Sequence, residues 1–477
     1  MIGREEEIKE LKRLYHRNRT ELVAVYGRLR VGKTYLVDET FQGKFTFRHT
    51  GLSPADMETQ GQLRSQLDHF YNSLILAGME KKKKPDNWLD AFFLLELFLQ
   101  SIDDGSRMLV FLDELPWMDT PRSSFVQAFE GFWNNWACHR DNLMVIVCGS
   151  DESWMMDNLI NSHGGLYDRI TWSIKLVPWT LHECERFFRE NKIRFSRYDI
   201  VQSYMIFGGI PYYLRLFDGQ YSLAQNVDRI LFSREAKLKK EFERLFRSVF
   251  VSPDAEKAIV AFLATRGAGY TRKEIAEGSG VSGGGTLSRH LDALIAGNFV
   301  ETYVPFGMGK REEHYKVVDP LCLFCLHFAS EIQSSAESFW QEHGMAQPVV
   351  TWREQAFEQV CFHHIPQIKK ALGVSGVITS VSAWTMREDD PDGTQISLLL
   401  KRNDNVLNMC EMKFCGGRFT VHQDDYRTLL GRPELLRQKV SPRIVVRSTL
   451  ITTFGLTRNA YSGVFTNVIT LNDLFEK

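Results

Sequence analysis

In the first part of the chain, apolar residues cluster into short runs. The segments that follow these runs have apolar residues at the spacing of an amphipathic helix. LVAVYG at 22–27, MLVFLDE at 108–114 and LMVIVCGS at 143–150 are rich in branched residues and end in polar ones. Such runs are typical of parallel strands that are buried on both faces. Strands that alternate with helices over about 180 residues predict an α/β fold with a doubly wound parallel sheet.

Beyond residue 180 the pattern changes twice. Residues 181–250 read as helices and include the turn FGGIPYYL at 207–214. Residues 255–318 then show three helices followed by two strand-like stretches, the order of a winged helix-turn-helix. From about residue 350 a long helix precedes the strands QISLLLKR and VLNMCEMKF, which indicates a further α/β unit.

A chain of 477 residues is too long for one ordinary core, so several domains are expected. We predict a nucleotide-binding core, a helical lid, a winged helix-turn-helix, a helical connector and a carboxy-terminal α/β domain. Their predicted ranges, in that order, are 1–180, 181–250, 251–320, 321–349 and 350–477.

Composition limits the compartment in which the protein is expected but does not indicate its function. The formal net charge is −1, which gives no global attraction to nucleic acid or membrane, so any basic surface must be local. The charged amino terminus is not a secretory signal, and no run approaches the roughly 18 apolar residues of a membrane span. Cys322 and Cys325 form a CxxC inside an apolar helix, where buried reduced thiols are favoured over zinc. We expect a cytoplasmic protein.

Residues 27–34 read GRLRVGKT, which fits the phosphate-binding pattern GxxxxGK[ST] between a predicted strand and a predicted helix. Glycines let the backbone wrap a phosphate, and successive N–H groups at the helix start stabilise its charge. Lys33 is expected to reach the β- and γ-phosphates of ATP, and the Thr34 hydroxyl to ligate Mg²⁺. The expected nucleotide-binding positions are Gly27, Arg28, Leu29, Arg30, Val31, Gly32, Lys33 and Thr34.

Four further residues complete the predicted ATPase site. Asp113 ends an apolar strand and is expected to hold Mg²⁺ through water, and Glu114 directly after it is the candidate general base. Ser150, at the end of another strand, is placed to sense the γ-phosphate. Arg169, in GGLYDRIT, is a candidate arginine finger, with an ordinary surface arginine as the alternative.

MIGREEEIKELKRL, YGRLRVGKT, VFLDE, CGSDESW, GGLYDR and GGIPYYL occur in this order. Together they resemble the archaeal-type ATPase family, a branch near the AAA+ and STAND NTPases, over roughly residues 1–250. The resemblance implies that the GxP turn of Gly209 and Pro211 links the nucleotide to the winged helix that follows. It also implies a conformational switch driven by the nucleotide.

The predicted winged helix has few cations for DNA. Arg289 and His290 lie on its third helix, whereas Lys310, Arg311 and Lys316 lie on or near its wing. A DNA reader would present such residues to phosphates and base edges. Use of this module as a regulatory piece without DNA is the alternative.

The carboxy-terminal part resembles a domain of unknown function that commonly follows archaeal-type ATPases and looks like a PD-(D/E)XK, restriction-endonuclease-like fold. The resemblance implies a nuclease site of Glu358, Glu411, Lys413 and an Asp on the first hairpin strand, in which the acids hold Mg²⁺ and the lysine orients or activates water. Ser397 occupies that Asp position, and a neutral hydroxyl is a poor Mg²⁺ ligand. Three interpretations stay open. The domain is a nuclease fold that binds without cleaving, a nuclease in which Asp392 replaces the missing metal ligand, or an otherwise active protein in which this one residue is altered. We favour impaired cleavage.

Two functions are weighed. The first is an ATP-driven switch that binds DNA and carries a nuclease-like effector domain. The second is a signalling ATPase that recruits protein partners, or copies of itself, without nucleic acid. A metabolic kinase is a weaker third possibility because the sequence shows no pocket for a small acceptor. ATP and Mg²⁺ are the expected cofactors in every case.

Overall fold

The computed structural model describes residues 1–53, 61–161, 164–250, 253–385 and 395–477. The described chain forms two compact units. The first comprises Met1–Pro178, Glu243–Asp254 and Asp292–Gly297, and the second comprises Trp179–Phe242, Ala255–Leu291 and Asn298–Lys477. None of the helices in these described ranges is long and apolar enough to cross a membrane.

The amino-terminal unit alternates strands and helices. Its strands are β1 Glu21–Tyr26, β2 Phe47–Thr50, β3 Met108–Asp113, β4 Leu143–Gly149 and β5 Trp172–Lys175. Its helices before residue 178 are α1 Glu5–Tyr15, α2 Lys33–Thr40, α3 Gln62–Leu76, α4 Trp88–Ser101, α5 Leu115–Met118, α6 Phe125–Asn135 and α7 Glu152–Met155, with a 3₁₀ turn at Ala137–His139 and a π turn at Met156–Ile160.

These strands form a parallel sheet in the order β2-β3-β4-β1-β5. Side chains alternate across it, so that Leu22 and Ala24 join one apolar cluster while Val23 and Val25 join another. The first cluster includes residues of α3, α4 and α6, and the second includes residues of α1 and α2. Helices therefore cover both faces of a parallel α/β sheet, as the sequence predicts.

The remaining helices run from residue 181 to the carboxy-terminal end. They are α8 Leu181–Glu190, α9 Arg197–Phe207, α10 Pro211–Leu214, α11 Leu223–Val227, α12 Glu241–Val249, α13 Asp254–Leu263, α14 Arg272–Gly278, α15 Gly285–Ala296, α16 Pro320–His327, α17 Ala329–Ser334, α18 Phe339–His343, α19 Gln347–His363, α20 Ile365–Ala371, α21 Gln423–Arg437 and α22 Leu471–Leu474. A π turn spans Asp228–Phe232, and 3₁₀ turns span Lys310–Glu312 and Ser462–Val464.

The second unit contains two sheets. Their strands are β6 Tyr270–Thr271, β7 Val300–Tyr303, β8 His314–Val317, β9 Thr379–Thr385, β10 Gln395–Arg402, β11 Val406–Lys413, β12 Val445–Thr452 and β13 Asn467–Thr470. The smaller sheet is antiparallel, in the order β6-β8-β7. Along the chain, β6 lies between α13 and α14, and β7 and β8 follow α15.

The larger sheet has the order β13-β12-β11-β10-β9. β10 pairs antiparallel with both β9 and β11, whereas β12 and β13 continue the sheet in parallel to β11. Phe306, from the segment between β7 and β8, packs into the apolar cluster of this sheet, and its backbone N–H donates to the carbonyl of Ala383 at 2.8 Å. The small sheet is thereby tied to the large one within the same unit.

The GGIPYYL turn has a steric requirement for glycine. The backbone N–H of Trp179 donates to the carbonyl of Gly209 at 2.7 Å. A Cβ on Gly209 would lie 1.8 Å from the carbonyl oxygen of Trp179, far inside contact distance. Pro211 then begins α10, a position at which its missing N–H costs no helical hydrogen bond.

Two of the side chains expected to face DNA make contacts inside the second unit, and the burial of Lys316 corrects the prediction for that residue. Lys316 is only 7% exposed, and its ammonium lies 3.6 Å from the ring centroid of Phe362 on α19. His290 has Nδ1 2.7 Å from a carboxylate oxygen of Glu256. Both partners are distant in sequence, so local spacing did not reveal them. Arg289 remains exposed.

Candidate functional site

The phosphate loop connects β1 to α2 through an unusual backbone path. Gly27, Arg30 and Gly32 have φ values of 139°, 70° and 99°. A Cβ on Gly27 would also lie 2.3 Å from the carbonyl oxygen of Leu176, so glycine is required there on two grounds. The glycines of the pattern are therefore needed to form the loop itself.

Lys33 lies inside this loop, with only 4% of its surface exposed. Its ammonium donates to the carbonyl oxygens of Gly27 at 3.0 Å and Arg28 at 3.3 Å, and it lies 4.0 Å from Oε1 of Glu114. The cation is thus held at the loop carbonyls and beside an acid. A phosphate bound by the loop would gain this positive charge without a long side-chain movement.

Thr34 and Asp113 meet at the same place. The Thr34 hydroxyl donates to Oδ2 of Asp113 at 2.9 Å, and the backbone N–H of Glu114 donates to Oδ1 at 3.1 Å. Burial, and next the charge of Glu114, raise the pKa of Asp113 to about 6. A hydroxyl and a carboxylate in contact are the hard oxygen ligands that Mg²⁺ prefers, so these residues fit that ion.

Glu114 is held by Ser150 at the end of the neighbouring strand β4. Its Oε2 accepts from the backbone N–H of Ser150 at 3.0 Å and from the Ser150 hydroxyl at 2.6 Å. Glu114 itself adopts a left-handed backbone conformation with φ 48°. Sequence reasoning placed Ser150 at the γ-phosphate; the structure shows that its hydroxyl contacts Glu114.

Arg169 and Pro211, which are also predicted for this site, are not among the residues that make these contacts. Arg169 is exposed, in the segment that precedes β5. Pro211 belongs to the second unit, where it begins α10. Their roles as arginine finger and nucleotide-linked turn stay predictions.

The four residues predicted for the nuclease-like site do converge, within the second unit. Ser397 donates from Oγ to Oε1 of Glu358 at 3.0 Å, and the ammonium of Lys413 lies 3.2 Å from Oε1 of Glu411. Leu398 pairs with Cys410 in the antiparallel ladder, which places Ser397 opposite Glu411. All four line one cavity of about 770 Å³.

Sequence reasoning missed Arg432, which lines the same cavity. Its guanidinium donates from Nη1 to Oε2 of Glu411 at 2.5 Å. It lies on α21, between β11 and β12, where no spacing rule of the predicted fold singles it out. Burial, and next the charge of Glu411, raise the pKa of Glu358, although the hydrogen bond from Ser397 opposes that shift.

Among the described residues, the carboxylates predicted to hold a metal are already bound by other side chains. Both oxygens of Glu411 face cations, and Glu358 is bound by Ser397. Across the described ranges, no group of three or more His, Cys, Asp or Glu residues has the arrangement to hold a metal ion. The predicted rescue by Asp392 concerns a position outside the described residues. Cys322 and Cys325 both lie in α16.

Comparisons with known proteins agree with the amino-terminal geometry. Residues 1–217 match the family described as an ATPase domain predominantly from Archaea. The chain is an ATPase. An uncharacterized protein of Methanocaldococcus jannaschii is 22% identical over 443 residues, which cover 91% of this ATPase and 92% of the relative.

Solved structures give weaker likenesses. A Walker-type ATPase of Pyrococcus abyssi is 17% identical, with a TM-score of 0.42, and the match covers 68% of this chain and 96% of that one. The ORC2 protein of Aeropyrum pernix, in ADPNP–ADP complexes, is 14% identical with a TM-score of 0.38 over 70% and 95% of the two chains. TM-scores below 0.5 do not by themselves establish a common architecture.

Proposed function

We propose that this ATPase binds ATP with Mg²⁺ at residues 27–34 and hydrolyses it with Glu114 as general base. The observation that carries the proposal is the meeting of Thr34, Asp113, Lys33 and Glu114 at one end of the parallel sheet. Backbone N–H groups and Lys33 bind the phosphates, while Thr34 and Asp113 would hold the metal. The bound Mg²⁺ supplies neutralisation of phosphate charge.

Glu114 acts by removing a proton from the attacking water. Ser150 is a positioning residue in this scheme, because its hydroxyl and N–H both fix Oε2 of Glu114. The other oxygen, Oε1, is 4.0 Å from the ammonium of Lys33, on the side of the phosphate loop. This orientation supports a base that faces the bound γ-phosphate.

The test is Glu114→Gln in the full-length chain. ATP binding is expected to persist, because the loop and Lys33 are unchanged, and turnover is expected to fall by about 100-fold or more, as for loss of a general base. Glu39→Gln, an exposed acid on α2, is the matched control. Unchanged turnover in Glu114→Gln would remove Glu114 from the base role.

We further propose that ATP drives a conformational switch, with Arg169 as arginine finger and the Gly209–Pro211 turn linked to the nucleotide. The segment from α13 to β8 has the order of helices and strands that a winged helix-turn-helix requires. Its DNA-facing set reduces to Arg289, Lys310 and Arg311, which are exposed. DNA association therefore rests on fewer cations than the sequence alone indicates.

An electrophoretic shift assay at several salt concentrations, with and without ATP, tests that association. Weak binding that disappears with rising salt and weakens in Arg289→Ala is expected, because phosphate contacts dominate affinity at low salt. Absence of a shift even at low salt would instead support the signalling ATPase that acts through protein partners.

For the carboxy-terminal domain we propose a nuclease-like fold with impaired cleavage. A helix, an antiparallel trio of strands and a crossover helix leading to a parallel strand are present as α19, β9–β11, α21 and β12. Ser397 replaces the acidic ligand, and the two remaining carboxylates are engaged by protein donors. Metal-dependent DNA cleavage by the unmodified chain, retained in Lys33→Ala, would contradict this proposal.

A further inference from the structure

The cavity that contains Glu411 is shared by several parts of the second unit. Besides the sheet residues, its walls come from α9, from the end of α13 and the turn after it, and from α16, α19 and α21. Its volume is about 770 Å³, within the range of small-molecule pockets. A double helix needs an open groove, so a space of this size, walled by so many elements, suits a small ligand better.

Besides Arg266, which pairs with Glu274, the charged residues that line this cavity are two cations and two acids. Lys413 and Arg432 both contact Glu411, at 3.2 Å and 2.5 Å, and their side chains are 37% and 20% exposed. Glu358 is bound by the Ser397 hydroxyl instead of by a cation. The cations therefore outnumber the acid that they contact, and both have N–H groups beyond those used on Glu411.

Two residues that line the cavity each have a buried side-chain polar atom that lacks a hydrogen-bond partner among the residues that the structure describes. These atoms are Nε of Arg432, a donor, and Oε1 of Gln359, an acceptor. Buried polar atoms without a partner are uncommon and call for an explanation such as a ligand. The donor beside Glu411 would be satisfied by an anionic oxygen, and the acceptor on α19 by an N–H or O–H group.

We infer that Arg432 and Lys413 form a metal-independent site for the phosphate group of a small phosphorylated molecule. Arg432 supplies there the positive charge that a divalent ion would supply in a nuclease. Its planar guanidinium can donate to a phosphate with the N–H groups that Glu411 does not use. The remainder of the ligand lies toward Gln359, to which it donates a hydrogen bond.

Ser397 favours anion binding in this site. A hydroxyl donates to Glu358 and adds no negative charge, whereas an Asp at the same position would repel a phosphate and the neighbouring carboxylates. The replacement that removes a metal ligand therefore also removes an obstacle to anion binding. The inference goes beyond the ATPase activity, and neither depends on the other.

The test is calorimetric titration of ribose 5-phosphate into the full-length chain with EDTA present. Lys33→Ala serves as the parent, so that the phosphate loop does not contribute. We expect binding in the parent and a loss of about tenfold or more in affinity with Arg432→Gln, since a charge-assisted hydrogen bond is removed. Arg437→Gln is the matched control, because Arg437 lies exposed on the same helix and pairs with Glu434.

Removal of Arg432 alone leaves Glu411 with one cation fewer, so Arg432→Gln/Glu411→Gln provides a second variant with a neutral pair. It is expected to fold and to lose phosphate affinity equally. Undetectable binding in the parent, binding that requires Mg²⁺, or an affinity in both Arg432 variants equal to that of the parent would each overturn the inference. ATP turnover, measured with Lys33 intact, is expected to be unchanged by Arg432→Gln, so failure here is distinct from failure of the ATPase proposal.

Discussion

The phosphate-loop site and the Glu411 site share a pair of side chains. Each places a lysine near a glutamate at the end of a strand, at 4.0 Å between Lys33 and Glu114 and at 3.2 Å between Lys413 and Glu411. They differ in their other partners. At the first, the nearby Asp113 accepts only from a hydroxyl and a backbone N–H, whereas Arg432 contacts Glu411 at the second.

This difference decides which ligand each site can take. A carboxylate bound only by neutral donors keeps its negative charge available to a hard cation such as Mg²⁺. A carboxylate paired with a guanidinium and an ammonium has its charge already balanced by the protein, and a dication brought there would be repelled. We therefore propose that both lysine–glutamate pairs lie at phosphate-binding sites and that only the first site holds a metal.

The largest effect is expected from Lys33→Ala at the first site. Nucleotide affinity should fall by about 100-fold or more, because a buried cation that contacts the phosphates is lost. Titration with a fluorescent ATP analogue measures it, with Lys9→Ala on α1 as an exposed control. If Lys33→Ala left nucleotide affinity unchanged, the nucleotide would bind elsewhere, and the comparison of the two sites would fail.

The second prediction concerns a double substitution that should turn the Glu411 site into a metal site like that of the phosphate loop. Ser397→Asp/Arg432→Gln restores an acidic ligand and removes the competing cation, so Mn²⁺ affinity at this site is expected to rise by about 30-fold. Ser397→Asp alone should give a much smaller gain, because Arg432 still neutralises Glu411. Equal gains in the single and double variants would show that Arg432 does not compete with a metal.

The third prediction concerns pH at the first site. The pKa of Asp113 is raised to about 6, and the ionised carboxylate is the form that holds Mg²⁺. Affinity for Mg²⁺-nucleotide should therefore decrease as pH falls through that value, by about tenfold between about pH 7 and about pH 5. Asp113→Asn should bind more weakly at every pH and lack this dependence. A parent curve that is flat over the interval would be inconsistent with the raised pKa.

The smallest effect is expected from Ser150→Ala. Glu114 keeps the hydrogen bond from the backbone N–H of residue 150 and loses only the hydroxyl, so kcat should fall by about fivefold. KM for ATP should change little, since Ser150 acts through Glu114. A rise in KM without a change in kcat would instead indicate that Ser150 contacts the nucleotide.

Much of the fold follows from local patterns in the sequence. The long apolar strands β1, β3 and β4 and the phosphate loop are predicted closely because each is marked by a continuous run or by a fixed spacing. The shorter β5 and β13, and β9, were not predicted. Their residues carry weak patterns, and their pairing with β1, β12 and β10 depends on partners far along the chain.

The sites were predictable to the extent that their residues belong to motifs. Thr34 and Asp113 are each expected at one Mg²⁺ ion, and they are in hydrogen-bond contact; Glu358, Ser397, Glu411 and Lys413, expected in one cleft, line one cavity. Arg432 and the burial of Lys316 were not foreseen. Both arise from tertiary contacts, with Glu411 on a strand and Phe362 on a helix, that no spacing along the chain encodes.

The most direct measurement counts Mn²⁺ ions bound per chain by calorimetry at saturating ADP. Mn²⁺ takes the oxygen ligands that Mg²⁺ uses. If the first site holds a metal and the second is closed by Arg432, one ion binds per chain, and Asp113→Asn abolishes that binding. Two ions of similar affinity, one of them lost in Glu411→Gln, would contradict this account.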